Sequence, residues 1–193
     1  MKSQRIEKVI SFRIPRLHLT KTLLPQMKNY ETERLILKPA DLEDADFFLE
    51  LYNLPSFIKH IGDRNLRTKE DAENYISNRF LPQIEKLGFG NYVVIHKELN
   101  EKIGAVGVFV REGIDVPDIG FSFFPDFEGK GYAYESAINL MEIVKTEFGI
   151  EKLSAMTSDE NISSQRLIER LGLQFKKYVI FPDDNEELRY YEN

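Results

Sequence analysis

A single mixed α/β domain, a mixed sheet flanked by helices, is the fold class this 193-residue chain predicts. Three observations lead there. Short runs with apolar residues at every second position alternate with runs whose apolar residues recur every three or four positions. A strand–glycine turn–helix–strand unit lies within the chain, the arrangement from which sheets with crossover helices are built. Between residues 30 and 193 no repeat, low-complexity tract or linker marks a second domain, and roughly 100–200 residues per domain is the usual allowance.

Each element has its own signal. Thr32–Lys38 sets Leu35 and Leu37 against polar neighbours and reads as a strand. Asp41 opens a helix with Leu42, Ala45, Phe48, Leu49 and Tyr52 on one face. Asp41, Glu43, Asp44 and Asp46 crowd its first turn, where acids complement the helix dipole, and Pro55 ends it. A second helix begins near Thr68 with Ala72, Ile76 and Phe80 on one face, and Pro82 must kink or restart it. After the breaker Gly88-Phe89-Gly90, strands at Tyr92–His96 and Ile103–Arg111 flank a turn at Glu98–Glu101, which is a hairpin. The glycines at 62, 88 and 90 suggest mobile loops. A turn at Arg111–Asp115 leads to a strand at Asp118–Phe124, stopped by Pro125; Gly120 inside it marks a bulge or a close backbone approach. The next helix carries Ala133, Ala137, Leu140, Met141, Val144 and Phe148 on one face and is capped by Gly149. Lys152–Met156 is a short strand, and Asn161–Leu171 a helix ending at Gly172. Strands at Leu173–Phe181 and Glu187–Glu192 flank a polar turn at Asp183–Glu186. The order is β-α-α-β-β-β-α-β-α-β-β.

Composition narrows the function. Apolar residues at 42% and charged residues at 30% are ordinary for a soluble globular protein. The absence of Cys excludes a disulfide scaffold, a thiolate metal site and a cysteine nucleophile, and fits a reducing, cytoplasmic setting. No apolar run approaches the roughly 18 residues of a membrane span. His18, His60 and His96 are scattered and predict no metal site. Residues 1–28 hold seven Lys/Arg against Glu7, while the other 165 residues hold 19 bases and 31 acids. That acidic body argues against nucleic-acid binding, which needs basic surface to replace counterions, and is compatible with a cationic partner. The basic extension 1–29 lacks the long apolar stretch of a secretory signal. It reads equally as a transit-like leader, a false start upstream of Met27, or an N-terminal strand at Ile6–Ile14.

The turn Glu128-Gly129-Lys130-Gly131-Tyr132-Ala133 is the strongest local signal. Glycines let successive backbone N–H groups face one concavity, and the helix start adds partial positive charge, which suits a phosphate or pyrophosphate. A Walker A loop fails because Tyr132 follows Gly131, and a dinucleotide fingerprint fails because Tyr134 stands where Gly or Ala is needed. A third pattern is Q/R-x-x-G-x-G/A, the coenzyme A turn of the GNAT N-acetyltransferases. Residues 118–135, DIGFSFFPDFEGKGYAYE, resemble the strand–pyrophosphate loop–helix segment of the RimJ/RimL-like branch of that superfamily. Residues 161–172, NISSQRLIERLG, resemble its N-x-x-S-x-x-(apolar)-x-x-x-x-G segment. The opening ETERLILKPADLEDADFFLELYN is similar to its first strand and helix, so the resemblance spans about residues 30–193. Glu128 departs from it, standing where the family has Gln or Arg.

The resemblance implies a mostly antiparallel sheet with one splayed parallel strand pair, acetyl-CoA as co-substrate and a primary amine as acceptor. The acceptor would be a protein N-terminus or a small cationic amine. It places the pyrophosphate on Glu128, Gly129, Lys130, Gly131, Tyr132 and Ala133. The pantetheine arm would lie on the backbone of Phe121, Phe123 and Phe124, with Lys152–Met156 as the parallel neighbour. Asn161 would hydrogen-bond the pantetheine, though Asn is also a favoured helix N-cap. Ser164 would protonate the departing thiolate or be an ordinary first-turn serine. Asp118 would accept the amine proton through water or be a solvated strand-edge carboxylate. Glu135 suits the helix dipole first and catalysis second, and Tyr92 lines the acceptor pocket or packs. Without Cys there is no acetyl-enzyme route, so transfer is direct. A monomer or a homodimer is expected. Two rivals stay open: a catalytically silent CoA-binding regulatory module and a ligand-free interaction domain.

Overall fold

Strand alternation decides how this chain divides its apolar residues between two cores. In the computed structural model, which describes residues 7–8, 28–111, 114–180 and 187–193, all nine strands join one sheet. They are β1 (Glu7–Lys8), β2 (Tyr30–Glu31), β3 (Leu35–Pro39), β4 (Asn91–His96), β5 (Glu101–Phe109), β6 (Asp118–Phe123), β7 (Ser154–Thr157), β8 (Gln174–Ile180) and β9 (Glu187–Glu192). The spatial order is β1-β8-β9-β7-β6-β5-β4-β3-β2. Pairing is antiparallel except between β6 and β7 and between β1 and β8.

Successive residues of β4 and β5 go to opposite faces, as the period of two requires. Tyr92, Val94 and Val106 join a core with Leu35, Leu37 and the apolar face of α5 (Tyr132–Phe148). Val93 and Ala105 join a second core built on the helices between β3 and β4. Those helices are α1 (Ala45–Tyr52), α2 (Pro55–Ile61), α3 (Lys69–Tyr75) and α4 (Leu81–Leu87). The last helix, α6 (Ile162–Arg170), contributes Ile168 to the first core.

Several local readings needed correction. Pro55 does not only end α1: it occupies the first turn of α2, where its missing N–H costs nothing. The expected second helix is α3 and α4 joined through a π-helical stretch, Ile76–Phe80, directly before Pro82. A wider turn there absorbs the hydrogen bond that proline cannot donate. Asp44 stands in the first turn as expected, but it does more than complement the dipole. It is fully buried and holds Lys38 and Lys102 at 2.7 Å each. The hairpin turn falls at Lys97–Asn100, with Asn100 at φ 55°, so β5 starts at Glu101 and ends at Phe109. β7 starts two residues later and ends one residue later than expected, while β9 has the expected bounds. The N-terminal strand is described only at Glu7–Lys8, and the rest of Ile6–Ile14 lies outside the described residues, as does the turn at Asp183–Glu186.

Candidate active site

β6 and β7 run parallel but share a single register pair, Asp118 with Ser154. The Ser154 N–H donates to Pro117 O at 2.9 Å, and its hydroxyl donates to Val116 O at 3.0 Å. Beyond that anchor the two strands separate. On its other side β6 stays paired with β5 along its length, from Asp118–Phe109 to Phe123–Gly104. The Phe124 N–H continues the ladder by donating to Ile103 O at 3.0 Å. Residues 118, 120, 122 and 124 therefore turn their backbone groups to β5, and residues 121 and 123 turn theirs into the opening. Gly120 lies where an added Cβ would stand 3.3 Å from the Phe109 ring.

The opening is a cleft of about 880 Å³, within the usual range for small-molecule sites. At the C-terminal end of β6 the chain makes a short 3-10 turn, Pro125–Phe127, then enters α5 through Gly129 at φ 71° and Gly131 at φ 84°. Gly131 is the N-cap of α5 and offers no side chain to it. The Glu135 N–H, bonded to Gly131 O at 3.0 Å, is the first amide that the helix uses. The amides of 129–134 thus have no main-chain acceptor among the described residues. This uncapped start gives the cleft a cradle of donors and partial positive charge.

A clamp holds the cradle in shape. The Arg34 Nε and Nη2 donate to Glu135 at 2.7 Å each, and its backbone N–H donates to the same carboxylate at 2.9 Å. Thr32 Oγ1 adds a bond of 2.6 Å. The Arg34 guanidinium also donates to Lys130 O at 3.2 Å and lies 4.4 Å from the centre of the Tyr132 ring. Tyr132 OH in turn meets His96 Nε2 at 3.0 Å. Burial would raise the Glu135 pKa, but these hydrogen bonds and the guanidinium hold its carboxyl below the ordinary range. Glu135 is thus a structural anchor. Nothing in sequence spacing pairs it with Arg34, a hundred residues away.

Farther along the cleft, Asn161 caps α6. Its Oδ1 accepts from the Ser164 N–H at 3.1 Å and from Ser163 Oγ at 2.9 Å. Its amide nitrogen and the Ser164 hydroxyl have no partner among the described residues, and both residues line the cleft. Capping and ligand contact are compatible, because they use different atoms.

Three expected site residues stand apart, and a fourth, Asp118, lines the cleft in a different state from the one expected. Phe124 spends its amide on Ile103 and sets its ring 5.8 Å from Phe47 in the helical core, away from the cleft. The Lys130 ammonium lies 5.6 Å over the Phe127 ring, so only its backbone belongs to the cradle. Tyr92 is buried and packs against Tyr30. Asp118 is no solvated edge carboxylate: it is buried, and its two oxygens accept from Arg111 Nε at 2.5 Å and Nη2 at 3.2 Å. Held this way, it lines the cleft and positions Arg111, and burial pushes its pKa above the ordinary carboxylate range against the pull of the Arg111 guanidinium. Glu128, by contrast, is exposed at the rim.

The wall opposite the cradle comes from residues that sequence reasoning passed over. Ser56, Phe57, His60 and Ile61 of α2, followed by Arg64, face Arg111 and Asp118. Proline at a helix start was the one available signal for α2.

Residues 34–174 match the family model described as the acetyltransferase (GNAT) domain. The chain is 27% identical over 159 residues to YnaD, an uncharacterised N-acetyltransferase of Bacillus subtilis (strain 168), covering 80% of this chain and 89% of that one. In fold it is similar to a GNAT-family acetyltransferase from Bacillus anthracis, with a TM-score of 0.70, 23% identity and coverage of 86% and 98%. It is also similar in fold to RimL, the ribosomal L7/L12 α-N-protein acetyltransferase in complex with coenzyme A. That comparison has a TM-score of 0.68, 16% identity and coverage of 86% and 97%.

Proposed function

The chain belongs to the acetyltransferase (GNAT) domain family and is an acetyl-CoA-dependent N-acetyltransferase; on that footing we propose that it acetylates a primary amine by direct transfer, with residues 30–193 as the catalytic domain. The acceptor is a protein N-terminus or a small amine, and the chain sits in the RimJ/RimL-like branch. The protein works in the cytoplasm as a monomer or homodimer. The observation that carries this reading is the splayed β6–β7 pair, with a cradle of unpaired amides at one end and an enclosed wall at the other.

Acetyl-CoA supplies an acetyl group already activated as a thioester. The chain's part is to hold, orient and move protons. The amides of Gly129, Lys130, Gly131, Tyr132 and Ala133, with the backbone at Glu128, receive the pyrophosphate. Phe121 and Phe123 offer their inward-turned backbone groups to the pantetheine, and the free Asn161 amide donates to it. Ser164, whose hydroxyl has no competing partner, protonates the leaving sulfur. The amine is delivered neutral, its proton leaving to water in the cleft. Asp118 serves by holding Arg111 in place. With no Cys in the chain, transfer needs both substrates bound together.

Thermal denaturation with acetyl-CoA, CoA, ATP and NAD in parallel tests the reading. A ligand at 100 times its Kd adds roughly 2.7 kcal/mol, so stabilisation confined to the two CoA species is expected. No shift with either would return the chain to the class of ligand-free interaction domains. Stabilisation without thiol release across a panel of amines would mark a silent CoA-binding module. The exposed Glu128 carboxylate beside the cradle is the feature that keeps that second outcome in view.

A further inference from the structure

The acetyltransferase reading leaves the acceptor open, and the charges on the wall opposite the cradle address it. Resting on that reading, we propose that the acceptor is a small amine that also carries an oxyanion, a carboxylate or a phosphate, gripped by Arg64 and the free edge of Arg111.

The acidic surplus of residues 29–193 would suggest a polycationic acceptor, but that surplus is not expressed here. Among the described residues Asp118 is the one carboxylate lining this end of the cleft, and Arg111 occupies both its oxygens. Glu128 lies at the opposite end, on the rim of the cradle. An ammonium group entering here would find no unpaired carboxylate among the described residues.

Donors, by contrast, converge. Arg64 is half-buried in the cleft wall and makes no ion pair or hydrogen bond among the described residues. Arg111 binds Asp118 through Nε and Nη2, which leaves Nη1 without a partner among them. Both guanidinium groups act electrostatically on the hydroxyl of the buried Tyr52, so they share one neighbourhood. His60, on the same wall, has a buried Nδ1 with no hydrogen-bond partner. Two guanidinium edges and an imidazole nitrogen at one end of the cleft make a receptor for a planar or tetrahedral oxyanion. A bound oxyanion would also pair the Arg64 charge, which is otherwise left half out of water.

The same charges assist the chemistry. Positive groups near an amine lower its pKa and favour the neutral nucleophile. Its nitrogen forms the new N–C bond as the C–S bond breaks. The nitrogen loses one proton to water and the leaving sulfur gains one, so the products are the N-acetylated amine and free CoA thiol.

The test follows CoA thiol release by the full chain with matched acceptors: amino acids against their amides, phosphoethanolamine against ethanolamine, and spermidine as the polycation. The best acceptor should carry an oxyanion, and its uncharged counterpart should fall at least tenfold in kcat/KM. The two matched series separate a carboxylate from a phosphate. Arg64→Gln should shrink that preference to less than threefold while KM for acetyl-CoA stays within twofold, and Arg64→Lys should restore part of it. Spermidine, an amide or a peptide N-terminus as the best acceptor overturns the inference, as does an Arg64→Gln variant weakened equally towards both members of a pair. If acetyl-CoA stabilises the protein and only such amines are acetylated, the N-acetyltransferase reading stands and this inference falls. If acetyl-CoA does not stabilise it, both fall.

Discussion

At the cradle end of the cleft, six consecutive residues from Gly129 to Tyr134 present main-chain amides, and two glycines at positive φ set their direction. At the opposite end, side chains from α2, the turn after it, the segment following β5 and the start of β6 line the cleft together. The first region binds with atoms that every residue possesses, so its specification lies in conformation. The second binds with guanidinium, imidazole and aromatic groups, so its specification lies in which side chains the fold brings together. A shared co-substrate belongs to the first kind of site, and a particular acceptor to the second. The difference teaches that variants at the cradle should act on every reaction of the protein, while variants at the far wall should act on some acceptors and not others.

Gly131→Glu should break the comparison hardest. The residue sits at φ 84°, and a Cβ there would stand 3.4 Å from the Arg34 guanidinium. Backbone strain and a carboxylate in the amide cradle together should abolish acetyl-CoA binding by calorimetry. Retained affinity would remove the turn from the site. Ser164→Ala should lower kcat on the order of 100-fold, the low end for a proton donor, with little change in KM for acetyl-CoA. Equal turnover would assign the proton to water.

Glu135→Gln sharpens the role of the clamp. It keeps a hydrogen-bond acceptor but removes the charge that binds Arg34, so acetyl-CoA affinity should fall about tenfold through a loosened loop, for a cost near 1.4 kcal/mol. The pH dependence follows from the depressed Glu135 pKa. Its contribution is complete above the unfolded carboxylate value of about 4.3 and is lost as pH falls through the lower folded value. Acid titration should therefore cost the wild type stability in that window that Glu135→Gln does not lose; identical acid profiles would show that the clamp carries no such linkage. The smallest effect belongs to the Lys59–Glu160 pair, which joins α2 to the loop before α6 at 3.2 Å, both groups being mostly exposed. Lys59→Ala should leave Tm within about 2 °C, since exposed pairs contribute little. A larger drop would make that pair a strap across the cleft.

The two ends were not equally legible. DIGFSFFPDFEGKGYAYE can be read as a strand, an anion turn and a helix because each signal is local: apolar alternation, a proline stop, glycines before a helical period. The same locality identified Asn161 as a cap and placed Ser164 one turn along. The reading failed where a residue's meaning depended on a distant partner. Asp44 reads as a first-turn acid and is one, but its burial between Lys38 and Lys102 was not legible. Asp118 looked like an edge carboxylate until Arg111 took both its oxygens. Phe124 is drawn away from the cleft by its amide bond to Ile103 and its packing on Phe47.

Sequence by itself determined the fold class, the order of strands and helices apart from β2, α2 and the division of α3 from α4, the cradle and the absence of a cysteine route, because periodicity, turn chemistry and composition act over a few residues. The resemblance already implied the splay of β6 from β7, whereas tertiary structure alone decided the Arg34 clamp on Glu135 and the convergence of His60, Arg64 and Arg111 on one end of the cleft. Those features arise where segments tens of residues apart come into contact. The ion pairs and hydrogen bonds that define them gain strength only once burial has excluded water, and no spacing along the chain encodes that.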